Sequence, residues 1–179
     1  MLTHTTRTAR RPGFTLIEIL GCVVILGILS AVIVPQINSR DDQRAAAAAR
    51  VVVADLTYAQ NRAVARQKTH YVVFSVSGKQ YKVLDAWSPQ TVIAHPVDGS
   101  TYVVTFGSAS TSGLKDMALQ SAAFDGKAVL GFDALGIPLA VDPATGASSP
   151  LVVGSVVVTS GVYKMTVNVS PYSGELTVQ

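Results

Sequence analysis

Cysteine is almost absent. Cys22 stands alone in 179 residues, so the chain can close no intrachain disulfide and assemble no thiolate metal cluster. It lies inside an apolar block, where it reads as a small apolar residue of a helix. Histidine is nearly as scarce: His4, His70 and His95 are scattered, with no HExxH pair, P-loop or GxSxG motif beside them. No catalytic residues, no cofactor and no metal site are therefore expected, and His70 and His95 read as ordinary surface or corner residues. Charge is thin as well, at 14% of residues, and its excess is local. Arg7, Arg10 and Arg11 all precede Gly13, and without them the 14 Lys and Arg fall level with the 11 Asp and Glu. The basic balance thus belongs to the first thirteen residues, and the remainder lacks the broad positive field of a nonspecific nucleic-acid binder.

What the chain does have is one long apolar run. Ile19 to Ser39 carries no charge, and its first sixteen residues hold nothing more polar than Ser30. As a helix it would span roughly 31 Å, matching a hydrocarbon core of about 30 Å. A carboxylate, Glu18, stands at its start, and Leu29-Ser30-Ala31 is a poor small-x-small cleavage site, so the run does not read as an ordinary signal peptide. Arg7, Arg10 and Arg11 flank one end, while Arg40 and Arg44 mix with Asp41 and Asp42 at the other. The denser positive side stays cytoplasmic, which puts the rest of the chain in the periplasm or beyond. Within the run, Gly27 and Ala31 form a small-xxx-small step suited to close helix packing. Pro35 should kink or loosen the helix near the outer interface.

The residues Arg10-Arg11-Pro12-Gly13-Phe14-Thr15-Leu16-Ile17-Glu18 closely resemble the processing site of type IV prepilins and type II secretion pseudopilins. The resemblance implies cleavage between Gly13 and Phe14 by prepilin peptidase, N-methylation of the new Phe14 amine, and a glycine that cleavage tolerates least at position 13. It implies further that Glu18 meets the Phe14 amine of a neighbouring subunit during assembly, and that the helix partly unwinds at Pro35 in a filament. Physical chemistry supplies an independent reason for the Glu18 role, because a carboxylate in lipid is costly unless a positive group compensates it. The partners implied are prepilin peptidase, other pseudopilins or pilins, the inner membrane and an assembly platform.

Past Pro35 no Gly or Pro occurs until Gly78, and Ala45 to Ala49 is an excellent helix former. Val52, Leu56, Ala59 and Ala63 make an apolar stripe flanked by Val53 and Val64, with Arg50, Arg62 and Arg66 largely off it. Those arginines read as a solvated face or as contacts to neighbouring subunits or acidic groups. From Tyr71 the pattern turns to short β runs. Tyr71 to Val76 and Gln80 to Leu84 form a hairpin across Ser77-Gly78-Lys79, and Thr101 to Phe106, Ala128 to Phe132, Gly154 to Thr159, Val162 to Val169 and Glu175 to Val178 are further strands. Pro89 to Gly99 and Gly107 to Asp116 read as loops.

The expected layout is α+β: a long N-terminal helix whose outer half packs on an antiparallel sheet, resembling the pilin fold. Residues 1–13 would be a cleaved leader, 14–39 the transmembrane and filament-core helix, and 40–179 a periplasmic globular domain. Three later segments, Asp55 to Val64, Phe132 to Pro138 and Ser173 to Val178, look like the GspH/FimT-like minor pseudopilins. That implies a structural subunit of a type II secretion pseudopilus supporting protein secretion. The alternative is a FimT-like minor type IV pilin acting in pilus assembly, adhesion or DNA uptake. Asp116, Asp125, Asp133 and Asp142 read as turn formers rather than calcium ligands. After Lys115 only Lys127 and Lys164 face five acidic residues, so nucleic acid is not expected as a partner.

Overall fold

The computed structural model describes residues 13–37, 40–107 and 113–179. The leader before Gly13, with His4, Arg7, Arg10 and Arg11, lies outside the described residues, as does much of the expected 107–116 loop. The chain forms two compact units, 1–39 and 40–179.

The first unit holds helix α1, Leu16–Ile37. Its only charged residue is Glu18, in the first turn, and apolar side chains occur on every side of it rather than in a stripe. The helix continues past Pro35 and ends two residues later. The next helix begins at Arg40, and residues 38–39 between them lie outside the described residues.

The second unit begins with α2, Arg40–Arg66. Its buried residues are Ala45, Ala48, Ala49, Val52, Leu56, Ala59 and Ala63, a three-and-four spacing that lays one stripe along the helix. The stripe expected from Val52, Leu56, Ala59 and Ala63 is thus present, and alanines extend it toward the start of the helix. Asp41 and Asp42 lie in the first turn and Arg66 in the last, each favourable to the helix dipole. At the far end Gln67 takes a left-handed φ of 52°. Its N–H donates to Val64 O at 3.2 Å, and the Lys68 N–H donates to Ala63 O at 3.1 Å. This is the Schellman arrangement, with glutamine where glycine is usual.

Among the described residues eleven strands follow: β1 His70–Ser75, β2 Gln80–Ala86, β3 Thr91–Val92, β4 Val103–Thr105, β5 Ala118–Phe124, β6 Val129–Phe132, β7 Pro138–Val141, β8 Ser148–Pro150, β9 Gly154–Ser160, β10 Tyr163–Val169 and β11 Leu176–Val178. They pair antiparallel in two sheets rather than one. The larger runs β3-β2-β1-β6-β7-β8 with β4 also on β2, and the smaller runs β11-β10-β9-β5. The expected hairpin is β1 and β2, with Phe74 opposite Tyr81. Sequence reading missed four strands. β5, Ala-Leu-Gln-Ser-Ala-Ala-Phe, has weak β formers and a register shift between Leu119 and Ser121 that breaks its alternation. β7 starts on a proline, β8 is a short, exposed Ser-Ser-Pro, and β3 is a two-residue edge inside the expected Pro89 to Gly99 loop.

Helix α2 lies against both sheets, touching β9, β10 and β11 of the smaller and β1 and β6 of the larger. This is a pilin-like α+β fold. Strands β1 and β9 bury alternate residues, Val72 and Phe74 on one and Val156 and Val158 on the other. Phe74 links the aromatic core, its ring 5.2 Å from Tyr81 and 5.5 Å from Phe124.

Candidate functional site: the start of α1

Gly13, Phe14, Thr15 and Glu18 stand together where α1 begins. Gly13 to Thr15 are non-helical, and the helix starts at Leu16. Thr15 is its N-cap: the Glu18 N–H donates to Thr15 Oγ1 at 3.3 Å and to Thr15 O at 3.1 Å. Thr15-Leu16-Ile17-Glu18 therefore has the capping-box sequence, Thr at the cap and Glu three residues on. The pattern was available in the sequence, but the sequence reading assigned Thr15 no role. Capping fixes where the helix starts, so that Phe14 lies just before the cap and Glu18 in the first turn, at the positive end of the dipole.

The large apolar side chains described here are exposed. Phe14 is 77% exposed, Leu16 85% and Ile17 73%. Ile19, Leu20, Val23 to Leu26, Ile28 and Leu29 are all at least half exposed. The Glu18 carboxylate is exposed and makes no hydrogen bond or ion pair with any described residue. Nothing lies within 4 Å of where a Cβ on Gly13 or Gly27 would stand, so both backbones are open to approach. The Ala31 half of the small-xxx-small step lies outside the side chains described. Counting described side chains alone, which in α1 end at Ser30, no helix is long and apolar enough to cross a membrane. The helical backbone nonetheless runs on to Ile37, and 22 residues with one charge extend about 33 Å, enough for a hydrocarbon core.

The second unit carries a polar cluster that the sequence reading overlooked. Asp55 interrupts the apolar face of α2, where Tyr81 of β2 donates a short hydrogen bond to its Oδ2 and Tyr102 donates to its Oδ1 at 3.0 Å. Burial raises the Asp55 carboxyl above its ordinary value, against the opposing pull of the two hydroxyls and of His95. Burial likewise pushes the Tyr81 hydroxyl well up, reinforced by the neighbouring Asp55 charge. An acidic residue three positions after Val52 and four before Ala59 was the visible signal. The cluster pins the helix to the larger sheet.

Gln60 makes a second pin. Its Nε2 donates to Gly136 O at 2.9 Å and to Ser173 O at 3.1 Å. The three segments singled out in the sequence for their GspH/FimT-like look thus converge on one side chain. Asp133 and Asp142 form turns, as expected: Asp133 Oδ1 accepts from Leu135 N and Ile137 N, and Asp142 Oδ1 from Ala144 N and Thr145 N. Asp125 ties down Val152 N and Val153 N. No group of three or more potential metal ligands occurs among the described residues. His70 departs from expectation. It sits at the helix-to-strand corner, but it is buried, because it opens the inward-facing row of β1.

Comparison with known proteins bears on the N-terminal segment. Residues 8–34 match the model of the prokaryotic N-terminal methylation motif. Over 34 residues the chain is 65% identical to type II secretion system core protein G of Pseudomonas aeruginosa, a match covering 19% of this chain and 24% of that protein. The chain thus spans about a quarter of that relative's length. No solved structure matches. The chain thus carries at residues 8–34 the N-terminal methylation motif and is type IV prepilin-like over that segment.

Proposed function

We propose that this protein is a structural minor pseudopilin of a type II secretion pseudopilus, cleaved between Gly13 and Phe14, N-methylated on Phe14 and assembled through α1. The observation that carries the reading is α1 itself: apolar on all sides, capped by Thr15 just after the cleavage position, and bearing one carboxylate with no partner among the described residues. A helix of that kind suits two environments in turn, lipid before assembly and other such helices after it. In the second, the Glu18 carboxylate takes the methylated Phe14 amine of a neighbour as its counter-charge, which offsets the cost of leaving water. Pro35, in the last turn of α1, gives the helix a place to loosen as it packs. Residues 1–13 are then the leader, 14–39 the membrane and filament-core segment, and 40–179 the periplasmic domain. Its place beside GspH/FimT-like subunits rests on the segments that meet at Gln60, and its role is mechanical rather than catalytic.

The mass of the mature protein purified from membranes is the direct test. A chain beginning at Phe14 with one added methyl group is expected. A native protein that keeps residues 1–13, or begins elsewhere, overturns the reading.

A further inference from the structure

Where α2 gives way to β1, a cavity of about 230 Å³ is lined by Arg62, Arg66, Lys68, His70 and Asp85. Its construction follows from the end of the helix. The Schellman turn at Gln67 reverses the chain at once, which brings Lys68 and His70 round to Arg62 and Arg66 of the last two turns. Asp85 comes from β2, one residue beyond Leu84, the partner of Tyr71. Three permanent cations thus face a single carboxylate, and among the described residues none of the three has an ion-pair partner.

Two nitrogens of this lining are buried without hydrogen bonds, Arg62 Nε and His70 Nε2. Buried polar atoms in folded proteins almost always find partners, so a pair of them beside one basic cavity calls for a ligand. The ring of His70, only 1% exposed, is held by Nδ1 lying 2.9 Å from Lys68 O. A carbonyl only accepts, so Nδ1 carries a proton and the neutral ring leaves Nε2 bare.

We propose that this cavity binds a small oxyanion, a phosphate or carboxylate group, between the Arg62 and Arg66 guanidinium groups and the His70 ring. The guanidinium forks match such groups, and no hydroxide, metal or oxidant is involved. Nε2 meets an oxyanion favourably only when protonated, so binding takes up one proton from solvent and strengthens as pH falls. The groups facing the ring are Arg62 and Arg66 from α2, Lys68 from the turn and Asp85 from β2. On the β6 side it is paired with the uncharged Phe132, while the adjoining Asp133 is engaged by Leu135 and Ile137. Burial lowers the proton affinity of the free ring, and the charges of Arg62 and Lys68 add to this against Lys68 O and Asp85. An incoming anion reverses that balance.

The test uses the mature full-length chain in nonionic detergent micelles. The ring C–H resonances of His70, assigned with a His95→Gln variant, are followed as inorganic phosphate, acetate or chloride is added at constant ionic strength. Phosphate or acetate should shift His70 saturably, with affinity falling as pH is raised above the free ring's lowered value. Arg66→Gln, on an exposed residue whose loss leaves the fold intact, should weaken binding about tenfold, the size of one charge-assisted hydrogen bond. Phosphate well ahead of acetate identifies a phosphate-type ligand, and parity identifies a carboxylate. An equal response to chloride, no saturation, or an affinity that Arg66→Gln leaves unchanged would overturn the proposal.

Discussion

Helices α1 and α2 follow one another in sequence and solve opposite problems. Across its 27 residues α2 concentrates apolar side chains in one stripe, and two sheets of its own chain cover that stripe completely. Across its 22 residues α1 carries one charge and is otherwise apolar on all sides, and its described large apolar side chains are at least half exposed, Leu16 85%. A helix patterned on one side can finish folding within its own molecule. A helix apolar all round can reach a low free energy only by recruiting material from outside, whether lipid or other helices. The two helices therefore differ in what they need: α2 is satisfied within its own unit, and α1 fits the role in assembly proposed for it.

This division can be broken by substitutions that should affect one side alone. The largest effect is expected from Glu18→Ala, which removes the lone charge of α1. It should leave membrane insertion and the unfolding of residues 40–179 unchanged while strongly reducing recovery of the subunit in sheared filaments. Wild-type recovery would show that assembly does not use the carboxylate. Leu56→Ala should do the reverse. Leu56 is fully buried in the α2 stripe, so its truncation should cost about 2–5 kcal/mol in denaturant unfolding. Processing at Gly13 should continue as before, and a change in processing would mean that the two regions are not independent.

The Asp55 cluster sharpens the contrast by pH. Its folded carboxyl is raised above the ordinary 3.8, so the native state holds its proton more tightly than the unfolded chain does. The stability this contributes is fully present below 3.8 and is lost as pH rises through the raised folded value. Asp55→Asn keeps a group able to bond the tyrosines and cannot titrate. Its unfolding free energy should lack that acid-range decline, and an unchanged pH profile would remove Asp55 from the account. The smallest effect concerns the end of α2. Gln67→Gly relieves a left-handed backbone and gives up the Gln67 Nε2 bond to Val64 O at 2.8 Å. Those opposing terms should leave a net change within about 1 kcal/mol, and a larger loss in thermal unfolding would mean that the side chain, not the backbone, holds the turn.

Sequence reading worked best where a pattern is local and physical. The apolar run, the stripe of α2 and the hairpin at Ser77-Gly78-Lys79 are periodicities and turn signals that need no partner to be seen. It worked less well where pairing decides. β5 is a strand because β9 offers it an edge, not because Ala-Leu-Gln-Ser-Ala-Ala-Phe prefers to be extended. The capping box at Thr15 lay in plain view and was missed because the same four residues also belong to the processing motif.

Charge alone could not assign the basic residues around α2. Arg62, Arg66, Lys68 and His70 lie within nine residues of sequence, yet only the reversal at Gln67 turns them toward one cavity. What the sequence by itself determined is the character of α1, since a helix with one charge, otherwise apolar and long enough to span lipid, owes its behaviour to its own side chains. The tertiary structure alone decided which strands join which of the two sheets, that Asp55 is held by two tyrosines, that Gln60 gathers three distant segments and that His70 is buried. Each of these depends on side chains far apart in sequence sharing one low-dielectric interior, where an unpaired polar group is costly enough to select its partners.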